Sequence, residues 1–241
     1  MKAYVIQMSD NKLSLEGVET LKNSIESTSS AIEVEPHEAV QPKGNGDANF
    51  GIFERTVPWT WPTLESQDSI DLHTGLFKRH YKAKDQRRVE ACALSHFSLW
   101  KKCAEMNKPI VILEHDAVFI KKFDPEKYVH KKWGVLGLND PRGNTRKGSS
   151  FFRQVEAQKK GIHDVPSIDS AGEPPLPMGL AGNSAYVIKP HAAAKLLEKV
   201  NEIGMWPNDA IMCKQLFPGL LKVTYPFYTT TQGTISTTVS L

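Results

Sequence analysis

Residues 110–116 read IVILEHD. Four apolar residues run without a break into Glu114, His115 and Asp116. A near-continuous apolar run suits a strand covered on both faces, as in a parallel sheet. The stretch before it, Arg88 to Glu105, places Val89, Cys92, Ala93, His96, Phe97, Trp100 and Cys103 on one face at steps of three and four. That spacing predicts an amphipathic helix with His96 on its apolar side. Asn107-Lys108-Pro109 then stops it cleanly. A helix leading into a buried strand that ends in two acids is the unit on which the reading of the fold rests.

The same units recur outward from this stretch. Ala3 to Met8 is a short strand, followed by a helix from about Leu15 to Ile25, with Ala31 to Val34 as a second strand. Trp133 to Leu138 and Ser184 to Ile188 read as buried strands, and Leu221 to Thr224 as a last one. Pro190 to Val200 reads as a helix with proline in its first turn, where the missing donor costs nothing. Asn208 is placed to cap a helix from Asp209 to Leu216. Strands alternate with helices, so the expected class is α/β, a single domain over 1–241 with a mostly parallel, doubly wound sheet flanked by helices. Two segments, 41–75 and 140–179, lack periodicity and are expected to be loops.

Composition narrows the possibilities. The chain has 241 residues, 40% apolar and 24% charged, with 30 basic and 27 acidic side chains for a net charge of +3. That balance does not call for nucleic acid as a partner. No stretch approaches the roughly 20 apolar residues of a membrane span. MKAYVIQMSD has only a brief apolar run, unlike a secretory leader. Cys92, Cys103 and Cys213 show no zinc-type spacing, and Cys92 and Cys103 stand about 16 Å apart on one helix, too far to bridge. Reduced thiols in a cytoplasmic protein are the expectation.

In open α/β sheets ligands bind at the carboxyl ends of strands. Glu114 and Asp116 stand at such an end, and two hard oxygen donors suit Mg²⁺ or Mn²⁺ held together with a diphosphate. An ordinary polar turn is the plain alternative. His115 points either to the opposite face or to the same ligand. Gly182, Asn183 and Ser184 precede a strand where a ligand can approach the backbone closely. His96 is either a satisfied histidine on a buried face or a donor to a nucleotide. KRHYKAKDQRR (78–88) is either a solvated face or a contact for an anionic acceptor. Trp59 and Trp61 either stack on sugar or pin their loop.

The segment ACALSHFSLWKKCAEMNKPIVILEHDAVF (91–119) resembles glycosyltransferase family 25, the lipooligosaccharide-type sugar transferases related to collagen galactosyltransferases. The matching features are Cys92, Ser95, His96 and Trp100 on the helix, then a strand ending in an acidic triplet. The centre of that triplet departs, with His115 where the family usually carries Asp. AYVIQMSDNKLSLEGVETLKNSI, IEVEPHEAVQPKG, GNSAYVIKPHAAAKLL and WPNDAIM resemble further family stretches in order. Asn11 and Lys12 stand where the family usually carries arginines.

The resemblance implies a GT-A-like fold and a divalent-metal-dependent transfer of galactose or glucose, with inversion, from a UDP-sugar to a hydroxyl of a glycan. It implies Asp116 as metal ligand and Glu114 as metal or ribose contact. It implies donor contacts from Ser95, His96, Asn183, Ser184 and the polar tail carrying Gln232 and Ser236. Inversion needs a base for the acceptor proton. Asp209 is the candidate, with an acceptor or metal contact and a simple helix-start charge as the other readings. His115 and the missing arginines motivate one alternative function, a catalytically silent scaffold that keeps the fold.

Overall fold

The computed structural model describes residues 1–42, 56–83, 85–142, 148–167 and 175–233. In chain order these form β1 (Lys2–Gln7), α1 (Lys12–Ser27), β2 (Glu33–Glu38), β3 (Ser69–Ile70), β4 (Phe77–Lys78), α2 (Gln86–Met106), β5 (Ile110–Glu114) and β6 (Ala117–Phe119). There follow α3 (Glu126–Val129), β7 (Val135–Gly137), α4 (Gly148–Glu156), β8 (Gly161–Asp164), β9 (Ala185–Ile188), α5 (Pro190–Ile203), α6 (Asn208–Ile211), β10 (Leu221–Tyr225) and β11 (Thr229–Thr231).

One seven-stranded sheet runs in the order β2-β1-β5-β9-β7-β10-β8. β1 pairs in parallel with both β2 and β5, and β7 with β10. β9 runs antiparallel to both β5 and β7, and β8 antiparallel to β10. Five strands therefore share a direction and two oppose it, so the sheet is mixed and mostly parallel, flanked by helices as expected.

The period of two in the strands builds two cores. Tyr4, Ile6, Ile110, Ile112, Tyr186 and Ile188 pack on the α2 and α5 side with Leu99, Trp100 and Leu196. Ala3, Val5, Val111, Leu113, Ala185 and Val187 pack on the other side with Val18, Leu21 and Ile25 of α1. Both faces of β5 are thus covered, which is why IVIL carries no polar residue.

Several boundaries differ from the sequence reading. β2 lies further on than 31–34 and contains Pro36, which its place at the edge of the sheet permits. The segment expected to be loop at 140–179 contains α4 and β8. The helix is short, with Gly148, Phe151 and Val155 buried at helical spacing, and β8 has no buried residue to give a strand pattern. The expected helix from Asp209 to Leu216 is only the four residues Asn208–Ile211, with Asn208 inside it and Pro207 before it. A bridge between Cys213 and Gly179 takes over there.

Candidate active site

The alternation that fills the cores also aims the acidic triplet. Glu114 continues the Ile110–Ile112 row toward α2, and His115 falls on the α1 side. Glu114 Oε1 accepts a hydrogen bond from His96 Nε2 at 3.1 Å. The His96 side chain is 0% exposed, while that of Glu114 keeps 28%. Behind the imidazole, Tyr186 Oη lies 2.9 Å from His96 Nδ1 and accepts from Trp100 Nε1 at 2.9 Å. Indole is a donor only, so the Tyr186 hydroxyl is free to donate to Nδ1 and leave the ring proton on Nε2, facing Glu114. His96 is therefore both a buried, satisfied histidine and a direct partner of the strand-end acid.

His115 packs instead on α1. A Cβ added at Gly17 would stand 3.2 Å from its Cδ2 and 2.7 Å from its carbonyl oxygen. Gly17 lets the helix touch the turn that carries the acids.

Asp116 Oδ1 is buried without a hydrogen-bond partner among the described residues. So are Asn183 Oδ1 and Nδ2, and Ser184 Oγ. Because β9 is antiparallel to β5, its start lies beside the end of β5, and Glu114 N donates to Ser184 O at 2.8 Å. Gly182 has φ +92°, a backbone conformation suited to glycine. Buried polar groups are nearly always satisfied, so this group of orphaned atoms beside two acids points to a polar ligand.

The two acids of the triplet titrate differently. Burial, with the negative charge of Glu114, pushes the Asp116 carboxyl up to about 7. Burial also raises Glu114, but the His96 hydrogen bond and the His96 and His115 charges outweigh it and hold Glu114 below the usual carboxylate range. One acid is charged early and the other resists, the pattern of two carboxylates sharing a site. A divalent cation relieves that conflict, and the unpartnered Asp116 oxygen fits one.

Asp209 opens α6 and keeps an exposed face. Both its carboxylate oxygens lie 2.6 Å from Tyr81 Oη. The protein packed around the carboxylate and the charge of Glu114 raise its pKa, and the Tyr81 hydrogen bond opposes that rise. Close by, Cys92 Sγ lies 3.9 Å from Asn208 Oδ1. Gly179 fits the α6 backbone closely, since a Cβ there would stand 2.7 Å from the Asp209 carbonyl oxygen.

Two other candidates hydrogen-bond to backbone groups. Ser95 Oγ accepts from Val40 N at 2.9 Å and donates to Ala91 O at 2.8 Å, so it fastens the chain after β2 onto α2. The Gln232 amide donates to the carbonyls of Gly17, His115 and Ala117, and its backbone N–H donates to Asp116 O at 2.8 Å. It clamps the acidic turn. Ser236 lies outside the described residues.

The first three residues of the 78–88 run are engaged by acids. Lys78 is buried against Asp71 at 3.0 Å, while Arg79 and His80 both pair with Asp68. Trp61 is buried, donates to Arg79 O and packs on Trp206, which is the pinning role. Tyr81, Tyr186 and Gly17 were missed by sequence reasoning. The tyrosine two places after Ser184 in an otherwise aliphatic strand was the one available signal.

The sequence also matches a known family. The family model described as glycosyltransferase family 25 (LPS biosynthesis protein) matches residues 3–212. No curated protein matches the chain. Among solved structures, the chain is similar to the galactosyltransferase LgtC in complex with donor and acceptor sugar analogs, at 9% identity and TM-score 0.44, covering 92% of this chain and 73% of that one. It is also similar to the glycosyltransferase GlyE of Streptococcus pneumoniae TIGR4, at 11% identity and TM-score 0.39, covering 92% of this chain and 45% of that one. The family match runs from β1 through the acidic strand end to α6, and the mixed, mostly parallel sheet is the GT-A-like arrangement the motifs implied: the chain belongs to glycosyltransferase family 25.

Proposed function

We propose that the chain transfers a hexose, galactose or glucose, from a UDP-sugar to a hydroxyl of a glycan acceptor, with inversion and with Mn²⁺ or Mg²⁺. The observation that carries this reading is the buried Asp116 Oδ1 beside Glu114, together with the Asn183 amide and Ser184 hydroxyl, all without partners among the described residues. Hard oxygen donors at that point suit a hard cation. When bound, the cation neutralises the charge that develops on the diphosphate leaving group.

The chain's own residues do the rest. Asp116 and Glu114 hold the cation, and His96 orients Glu114 through its Nε2 proton. The Asn183 amide and the Ser184 hydroxyl face the donor and exchange their orphaned state for hydrogen bonds to it. Asp209 accepts the proton of the acceptor hydroxyl as the new oxygen–carbon bond forms and the bond from sugar to phosphate breaks. Its raised pKa makes it a stronger base near neutral pH. Its exposed face admits an acceptor from solvent.

The test is UDP release from UDP-galactose and UDP-glucose with Mn²⁺ and a panel of glycan acceptors. The reading expects turnover that falls at least about a hundredfold in Asp209→Asn. Absence of both turnover and donor binding across the panel contradicts it and favours the silent scaffold.

A further inference from the structure

We propose that Cys92, His96 and Glu114 form a second cation site, which takes a thiophilic divalent ion such as Zn²⁺ and competes with the donor site for Glu114. The competition rests on the function proposed above, whereas the binding of the ion does not.

Cys92 and His96 are four residues apart on α2, so their side chains share one face. Glu114 meets that face from the end of β5. One ligand atom from each residue, a thiol sulfur, an imidazole nitrogen and a carboxylate oxygen, lies within 4.8 Å of the other two. His96 Nε2 and Glu114 Oε1 already stand 3.1 Å apart. Two ligands at about 2.1 Å from a tetrahedral ion are about 3.4 Å from each other. An ion can therefore replace the proton these two atoms share, after a small movement of the half-buried Cys92 side chain.

The protons have places to go. The Cys92 thiol proton leaves to solvent as the sulfur–metal bond forms. The imidazole proton moves to Nδ1 and is donated to Tyr186 Oη, 2.9 Å away, as the tyrosine O–H rotates off the ring and changes from donor to acceptor. A metal-bound histidine ordinarily donates its other ring N–H in this way.

Ligand chemistry separates the two sites. Sulfur and imidazole favour Zn²⁺ or Co²⁺, while the oxygens of Asp116 favour Mg²⁺ or Mn²⁺. Glu114 serves both. Cys103 and Cys213 are not competitors, because both are buried and burial pushes their thiols up to about 12 and about 11.

The test is an anaerobic titration of the full chain with Co²⁺, read by the near-ultraviolet thiolate-to-cobalt absorption. One equivalent is expected to produce the band, and Zn²⁺ to displace it. Cys92→Ser is expected to abolish it, Glu114→Gln to weaken binding about tenfold or more, and Cys103→Ser to leave it intact. Absence of the band in the natural chain, or its survival in Cys92→Ser, overturns the site. In a second arm, Mn²⁺-supported UDP binding is measured with and without Zn²⁺. Zn²⁺ is expected to suppress it in the natural chain and not in Cys92→Ser. A band with undiminished UDP binding overturns the competition. Absence of UDP binding under all conditions contradicts the proposed function instead, and the cobalt band still decides the site.

Discussion

Tyr81 Oη lies 2.6 Å from both carboxylate oxygens of Asp209. The hydroxyl proton is shared between them, and Asp209 has its charged form stabilised by a residue 128 positions earlier in the chain. The proposed base is thus held by the loop segment ahead of α2, while α6 supplies its backbone.

Tyr81→Phe removes a side-chain hydrogen bond that lowers the Asp209 pKa, leaving the protein packed around the carboxylate and the Glu114 charge to raise it further. The acidic limb of the pH profile of kcat/KM is expected to move to higher pH. An unchanged limb with a uniformly lower rate would assign Tyr81 to packing rather than to the base.

Asp116 predicts how stability depends on pH. The unfolded chain loses this proton near the ordinary carboxylate value of about 4, whereas the folded chain keeps it to about 7. Between those values the folded state holds more protons, so stability falls as pH rises and levels off above 7. Asp116→Asn removes the penalty. Urea unfolding is expected to find the variant close to the natural chain near pH 4 and roughly 1–3 kcal/mol more stable near pH 8. A variant less stable at pH 8 would show that the carboxylate is already satisfied.

Gly17→Ala sets two effects against each other. Alanine is favoured inside a helix by about 1 kcal/mol, yet its Cβ would stand 2.7 Å from His115 O. Backbone on backbone cannot yield cheaply. The contact is expected to win, with a net loss of roughly 1–3 kcal/mol and weaker Mn²⁺-supported UDP binding. Both are read by thermal unfolding and calorimetry.

Tyr186→Phe leaves His96 Nδ1 and Trp100 Nε1 buried without the partner they share. Denaturant unfolding is expected to show a loss of about 1–3 kcal/mol. Nucleotide binding is expected to weaken as well, because the ring no longer has its Nε2 proton fixed toward Glu114.

Much of the framework was legible because burial leaves a pattern. β5, β9 and α2 each carry a run or a stripe that only a covered element needs. The strand-end position of Glu114 and Asp116 followed from the same pattern, while the face of His115 stayed open until the contact with Gly17 placed it on the α1 side. What was not legible depends on pairings far apart in sequence. The antiparallel run of β9 is set by its neighbours β5 and β7, not by its own residues. α4 is too short for its buried positions to announce a helix, and β8 has no buried residue to set a strand pattern. The pairing of Lys78, Arg79 and His80 with Asp71 and Asp68 was not legible, because it forms across a hairpin that the sequence did not announce. Tyr81 was hidden inside the basic run at 78–88. Ser95 and Gln232 have the chemistry of ligand contacts, and each also hydrogen-bonds to backbone groups that sequence order could not place beside it.

The most direct test is a calorimetric titration of UDP into the chain with and without Mn²⁺, repeated with Asp116→Asn. The account predicts saturable binding at one site per chain that requires Mn²⁺ and is lost in the variant while the fold is retained. Binding that is indifferent to Mn²⁺, or that persists in Asp116→Asn, would contradict the assignment of the IVILEHD strand end as the cation and donor site.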